Sequence, residues 1–117
     1  MPFNTRFWDE LVIQSYKTIL RRKPESALIH TNLGLAYVRV GKDKKAVRSF
    51  QRALKNNKKY VEAYYHLGMT YRRLGKIEEA LRCFNNYNKL TIKMKTHDPF
   101  VDEVVAKLKE EDRQTYE

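Results

Sequence analysis

Three histidines, one cysteine and a few paired acids are the side chains of this 117-residue chain that could do acid–base or covalent chemistry. His30, His66 and His97 are scattered, and no H-E-x-x-H spacing places two imidazoles and a carboxylate on one helix face for a metal. Cys83 stands directly before Phe84 in an apolar-periodic stretch and reads as a structural thiol rather than a nucleophile. As the only cysteine it can form no internal disulfide and no cysteine-based zinc cluster, which fits a reducing compartment. Glu78 and Glu79 read as first-turn acids at a helix N-terminus. Gly41-Lys42 and Gly75-Lys76 lack the G-x-x-x-x-G-K-[ST] spacing of a phosphate loop and read as helix-ending turns. No catalytic residue, metal or cofactor is expected. What the sequence offers instead is recognition chemistry. Arg39, Arg72 and Arg73 carry planar forks that can hold both oxygens of a carboxylate. Lys42, Lys44, Lys45, Arg48, Arg52, Lys55, Lys58 and Lys59 crowd one short stretch.

The charge is lopsided. Lys and Arg number 24 against 14 acids, a formal net of +10, yet residues 96–117 hold 3 basic and 7 acidic side chains while residues 11–95 hold 20 and 5. A basic body with an acidic tail attracts anionic partners of any kind, whether nucleic acid, membrane surface or acidic peptide. At 42% hydrophobic, with four glycines and three prolines, the chain has the composition of a soluble globular protein and a length suited to a single domain over 1–117. No apolar run approaches the eighteen or so residues of a membrane span. The opening MPFNTRFWDELVIQS is interrupted by Asp9, Glu10 and Gln14 and lacks a cleavage site, so it does not read as a secretory signal and the expected address is cytoplasmic.

The elements that must position these groups are helices. From Arg6 to Arg22 the apolar residues Phe7, Trp8, Leu11, Val12, Tyr16, Ile19 and Leu20 recur at helical spacing, which predicts one buried face, and Pro24 ends the run. Ser26 is placed to cap a second helix to Val40, and Gly41 to close it in the left-handed conformation. Asp43 is expected to cap a third helix to about Asn57. A fourth helix spans about Val61 to Leu74 before Gly75, and a fifth runs from Ile77 to about Lys93. Asp98 and Pro99 open a sixth, with Phe100, Val101, Val104, Val105 and Leu108 on its buried face. Nothing alternates like a strand. The fold class is all-α, antiparallel helices joined by short turns.

NLGLAYVRVGK at 32–42 returns as HLGMTYRRLGK at 66–76, and at a 34-residue offset Leu33, Gly34, Tyr37, Gly41, Ala46 and Phe50 meet Leu67, Gly68, Tyr71, Gly75, Ala80 and Phe84. Glycine inside a helix costs about 1 kcal/mol relative to alanine, so Gly34 and Gly68 imply a neighbouring backbone too close for a Cβ. This pattern resembles the tetratricopeptide repeat, a 34-residue helix-turn-helix unit. The resemblance implies a half-repeat helix at 7–24, repeats at 27–60 and 61–94, and a capping helix at 98–114 that closes the array. His30 and Tyr64 hold the usual tryptophan position, so His30 reads as a packing residue. Tyr87 replaces the second small residue that Ala53 supplies in the first copy.

Stacked units of this kind line a groove with their first helices. Positions outside the core stripe are Leu28, Thr31, Leu35, Val38 and Arg39 in the first copy and Glu62, Tyr65, Met69, Arg72 and Arg73 in the second. Leu35, Val38, Tyr65 and Met69 are apolar beyond what the core requires, and an apolar strip edged by arginines implies a groove for an acidic and apolar segment or helix of a partner protein. The alternative is that the fifth helix, the sixth helix or a second copy of the chain covers them. Some family members hold chaperone C-termini with a lysine, asparagine and arginine clamp. Here Leu35 and Met69 stand where asparagine would, and although Asn32 could supply one amide, His66 and Glu62 occupy later clamp positions, so such binding is not expected. The expected function is a non-catalytic adaptor. Nucleic acid on the basic third helix is the runner-up, although most tyrosines stand at core positions and two repeats would read little sequence. Self-association through the ends of the stack is a third reading.

Overall fold

Two glycines set the geometry of the chain. Gly41 and Gly75 take φ of 79° and 76°, a conformation that a Cβ disfavours, and each ends a helix in the same way. The Gly41 N–H donates to the Val38 carbonyl at 3.0 Å and Lys42 N–H to Tyr37 at 2.8 Å; Gly75 and Lys76 repeat this toward Arg72 and Tyr71 at 3.0 and 2.9 Å. The computed structural model describes residues 5–115 as six helices: α1 (Thr5–Arg22), α2 (Ala27–Arg39), α3 (Asp43–Asn56), α4 (Val61–Arg73), α5 (Ile77–Lys93) and α6 (Pro99–Thr115). The ends of the single domain expected over 1–117 lie outside the described residues. Each helix packs on the next, and α2 also touches α4. No strand occurs among the described residues.

The all-α hairpin architecture is as the periodicity predicts, with differences at particular residues. Ser26 caps α2, its hydroxyl accepting from the Ile29 N–H at 3.2 Å. Asp43 does not cap α3. Lys42 occupies the cap position with no side-chain bond, and Asp43 is the first helical residue, its carboxylate engaged elsewhere. At the third reversal no glycine is available, and Lys95 takes φ 59° while Thr96 N–H reaches the Thr91 carbonyl at 2.8 Å. α5 therefore runs on past Leu90, the position one repeat beyond the end of α3, before turning, and α6 starts at Pro99.

Burial of the end helices also departs from expectation. Phe7, Trp8, Leu11 and Ile19 are all exposed. Among the described residues α1 packs mainly on α2, and these four apolar residues lie off that contact. Ile13 is the α1 residue buried in the first core cluster, with Val12, Tyr16 and Leu20 packed partly against it. On α6, Val101, Val104 and Leu108 are buried as predicted, but Phe100 is exposed because it sits to one side of that stripe in the first turn.

The centre of each hairpin is a ring against a glycine. Phe50 and Phe84 are fully buried, a burial that stabilises by about 2–3 kcal/mol each. A Cβ built on Gly34 would lie 2.5 Å from the Phe50 ring, and one on Gly68 2.7 Å from the Phe84 ring. The close neighbour is thus a phenylalanine edge, not the backbone that the glycine spacing suggested. Ala46 and Ala80, both fully buried, complete the same layer. Gly34→Ala should therefore destabilise by about 1–2 kcal/mol, the overpacking outweighing the gain in helix propensity of about 1 kcal/mol. Urea denaturation followed by circular dichroism measures this; a stabilised variant would show that the ring yields.

Candidate functional site

At roughly 100° per residue, Leu28, Thr31, Leu35, Val38 and Arg39 share one side of α2, while His30, Leu33 and Tyr37 occupy the other. Leu28 is 54% exposed, and Leu35 and Val38 are half-buried against the first core cluster. Thr31 is a correction. It is 3% exposed and its hydroxyl donates to the Ala27 carbonyl at 2.8 Å, so a short side chain in this register is covered and already partnered. Tyr65, its counterpart on α4, is longer and stays half-buried, its ring 5.8 Å from Tyr87 and 6.5 Å from Phe84. Tyr65 and Met69 pack partly against the cluster that α5 and α6 form. They are therefore shared between core and surface, not surplus to the core. Glu62 is exposed and Arg72 half-buried, and neither forms an ion pair among the described residues.

The other two arginines are engaged. Arg39 Nη1 lies 3.3 Å from Asp9 Oδ1, tying α2 to α1. Arg73 holds Asp43 with both arms of its fork, Nε to Oδ2 at 2.9 Å and Nη2 to Oδ1 at 2.7 Å, tying α4 to α3. The two pairs are the same contact 34 residues apart, and the carboxylate bond pushes the Arg73 pKa up. The ladder stops where an acid is missing: Ile77 stands one repeat beyond Asp43. The acid and arginine spacing was legible in the sequence, but their joining was not.

A hollow of about 200 Å³ opens between α1 and α2, lined by Val12, Tyr16, Asn32, Leu35, Ala36 and Arg39. Val12 and Tyr16, half-buried against the first core cluster, also line this hollow, because no described helix lies on that side.

The histidines do separate jobs. His30 is buried, Nε2–H donating to the Pro24 carbonyl at 2.7 Å, which fastens the α1–α2 turn. His66 stacks on Phe50 at 6.0 Å, and burial pulls its pKa down against the opposing pull of Glu62, so it is neutral near pH 7. His97 bridges Asp102 at 2.7 Å and Thr91 at 3.4 Å. That hydroxyl, imidazole and carboxylate order resembles a catalytic triad, but Thr91 is 2% exposed and donates to its own helix at the Tyr87 carbonyl, 2.9 Å away. The arrangement pins α6 to α5. Burial pushes the Cys83 thiol up to about 12, leaving it protonated and inert. Among the described residues no three His, Cys, Asp or Glu side chains converge on a metal position, and no helix is long and apolar enough to cross a membrane.

Family models described as tetratricopeptide repeat match residues 27–60 and, in a phase that begins on α3, residues 49–82. Residues 27–82 carry tetratricopeptide repeats. No curated protein sequence matches the chain. Its tetratricopeptide fold is shared with the TPR2B domain of yeast Sti1, solved as a pHsp70 complex: TM-score 0.82, 16% identity, 92% of this chain and 87% of that one covered. The Sgt2 TPR domain of Aspergillus fumigatus gives TM-score 0.82 at 17% identity, covering 96% and 73%. The first TPR of Spaghetti (RPAP3), bound to the HSP90 peptide SRMEEVD, gives 0.80 at 22% identity, covering 91% and 81%.

Two measurements test the tetratricopeptide geometry. In a double-mutant cycle on Arg73→Ala and Asp43→Ala, the coupling should be about 0.5–1 kcal/mol, and Arg73→Ala alone should lower Tm by a few degrees. Zero coupling would remove the pair from the fold's support. For His66, the folded pKa lies below the unfolded one, so the unfolded chain takes up a proton first as pH falls. Stability should therefore drop below about pH 6.5, and His66→Gln should flatten that part of the pH profile, as read by thermal melts from pH 7.5 to 5.

Proposed function

We propose that this tetratricopeptide protein is a non-catalytic adaptor that holds an acidic segment or helix of a partner protein in the groove along α2 and α4. The hollow between α1 and α2 carries this reading: a recess of about 200 Å³, the scale of one anchoring side chain, walled by the apolar Val12, Leu35 and Ala36 and by the polar Tyr16, Asn32 and Arg39. Leu28 supplies exposed apolar surface at one end of α2. Val38, Tyr65 and Met69 offer the half-buried remainder of the strip. Arg72 is the arginine of the set without an ion pair among the described residues, so it is the one free to take a ligand carboxylate. Arg39 and Arg73 act by holding the helices in place, with Glu62 disfavouring acids near the start of α4.

The solved relatives support the class of ligand. The first Spaghetti repeat domain holds SRMEEVD, and the second TPR of human RPAP3, 23% identical with TM-score 0.73 over 83% of this chain and 78% of that one, holds an HSP70 peptide SGPTIEEVD. Both peptides combine acids with apolar side chains. In this chain Leu35 and Met69 replace the asparagines of the tail-holding clamp, so an internal Leu- or Phe-anchored acidic segment suits the groove better than a chaperone C-terminus.

Arg72→Glu separates recognition from folding, which Arg73→Glu cannot, because the latter would also place two carboxylates against each other at Asp43. Peptides selected from a displayed acidic library should bind Arg72→Glu and Leu35→Glu at least about tenfold more weakly than wild type, with helicity and melting retained for Arg72→Glu. Undiminished affinity in fluorescence anisotropy would place the binding surface elsewhere.

A further inference from the structure

The side of α2 that faces away from the groove opens into a second and larger cleft. A cavity of about 550 Å³ lies between α1 and α3, floored by His30, Leu33 and Tyr37 of α2. Its walls carry five cations, Lys17 and Arg21 from α1 and Lys45, Arg48 and Arg52 from α3, and no carboxylate lines it. None of the five forms an ion pair among the described residues, although Arg39, Lys42, Arg73, Arg82 and Arg113 all do. The ammonium groups of Lys17 and Lys45 both converge on the Tyr37 ring, each 5.9 Å from its centroid. Like charges brought together from two helices repel unless an anion lies between them. Ser49, 5% exposed, sits in the same wall with its hydroxyl unbonded among the described residues.

We infer that this cleft binds a small molecule carrying two or more phosphate groups. Three arginines and two lysines can supply several charge-assisted bonds to phosphate oxygens, Ser49 adds a neutral donor, and Leu20, Leu33 and Pro24 give a ligand apolar walls. The volume falls within the range of small-molecule sites, and the five cations come from two helices on either side of one open cleft, which gathers their charge at one place instead of spreading it along α3 alone. The phosphates could belong to a free metabolite or to a lipid headgroup, and the chemistry is shared.

Inorganic tripolyphosphate is the probe for the free form, and phosphatidylcholine vesicles with and without a bisphosphorylated phosphoinositide are the probe for the headgroup. Calorimetry should show one tripolyphosphate per chain. Arg21→Gln with Arg48→Gln should weaken it by about a hundredfold, two charge-assisted bonds at about tenfold each, whereas Lys58→Gln with Lys59→Gln, an equal loss of charge on exposed residues outside the cleft, should change it by less than about twofold. Lys17→Gln with Lys45→Gln provides a second cleft variant should the arginine pair disturb folding, which melting curves would reveal. Vesicle binding that depends on the phosphoinositide and is lost in the cleft variants assigns the site to a headgroup; tripolyphosphate binding without vesicle binding assigns it to a free metabolite. Equal weakening by cleft and control variants, no binding of either probe, or tighter binding of a single-stranded RNA that the cleft variants leave intact would each overturn the inference. Arg72→Glu, on the groove side, should leave tripolyphosphate binding unchanged, so the two surfaces stand or fall separately.

Discussion

A phenylalanine ring seated on a helical glycine governs how closely the two helices of each hairpin approach. Phe50 and Phe84 are fully buried because Gly34 and Gly68 leave no Cβ in the way, and Ala46 and Ala80 keep the surrounding layer thin. The intimate approach sets which side of α2 and α4 faces inward, and by difference which sides remain for ligands. Had these positions carried larger side chains, the hairpins would splay and neither cleft beside α2 would keep its dimensions.

Between hairpins a second contact repeats. Asp9 with Arg39 and Asp43 with Arg73 join the last helix of one unit to the first helix of the next. These pairs are partly solvated and contribute modestly to stability, yet they select the register of stacking because only one offset brings each guanidinium to its carboxylate. The ladder ends at Ile77, and there α5 overruns, Lys95 supplies the left-handed turn without glycine, and His97 and Asp102 fasten α6 instead. The acidic final helix is thus held by a different interaction from the one that joins the basic units.

The consequence for function is a division of labour around α2. One side, with Leu35, meets a hollow that stays open because no helix precedes α1 among the described residues. The opposite side lies between α1 and α3, where basic residues from two helices meet with no acid between them. The same unpaired helix therefore shapes both surfaces, and it also leaves Phe7, Trp8, Leu11 and Ile19 in solvent.

The sequence alone determined the helices, their order, the glycine turns and the 34-residue period, because hydrophobic spacing, left-handed glycines and a repeated packing layer are local or strictly periodic features. It also singled out the apolar and arginine positions on α2 and α4. Only the tertiary structure decided what became of them. Thr31 was covered, Arg39 and Arg73 were taken by acids thirty residues away, Val12 and Tyr16 came to be shared between core and surface, and Phe100 and four apolar residues of α1 stayed exposed. The physical reason is that periodicity reports which face of a helix is apolar, whereas burial and pairing depend on whether another element arrives to meet that face, and at the two ends of the array the repeat no longer says which one will.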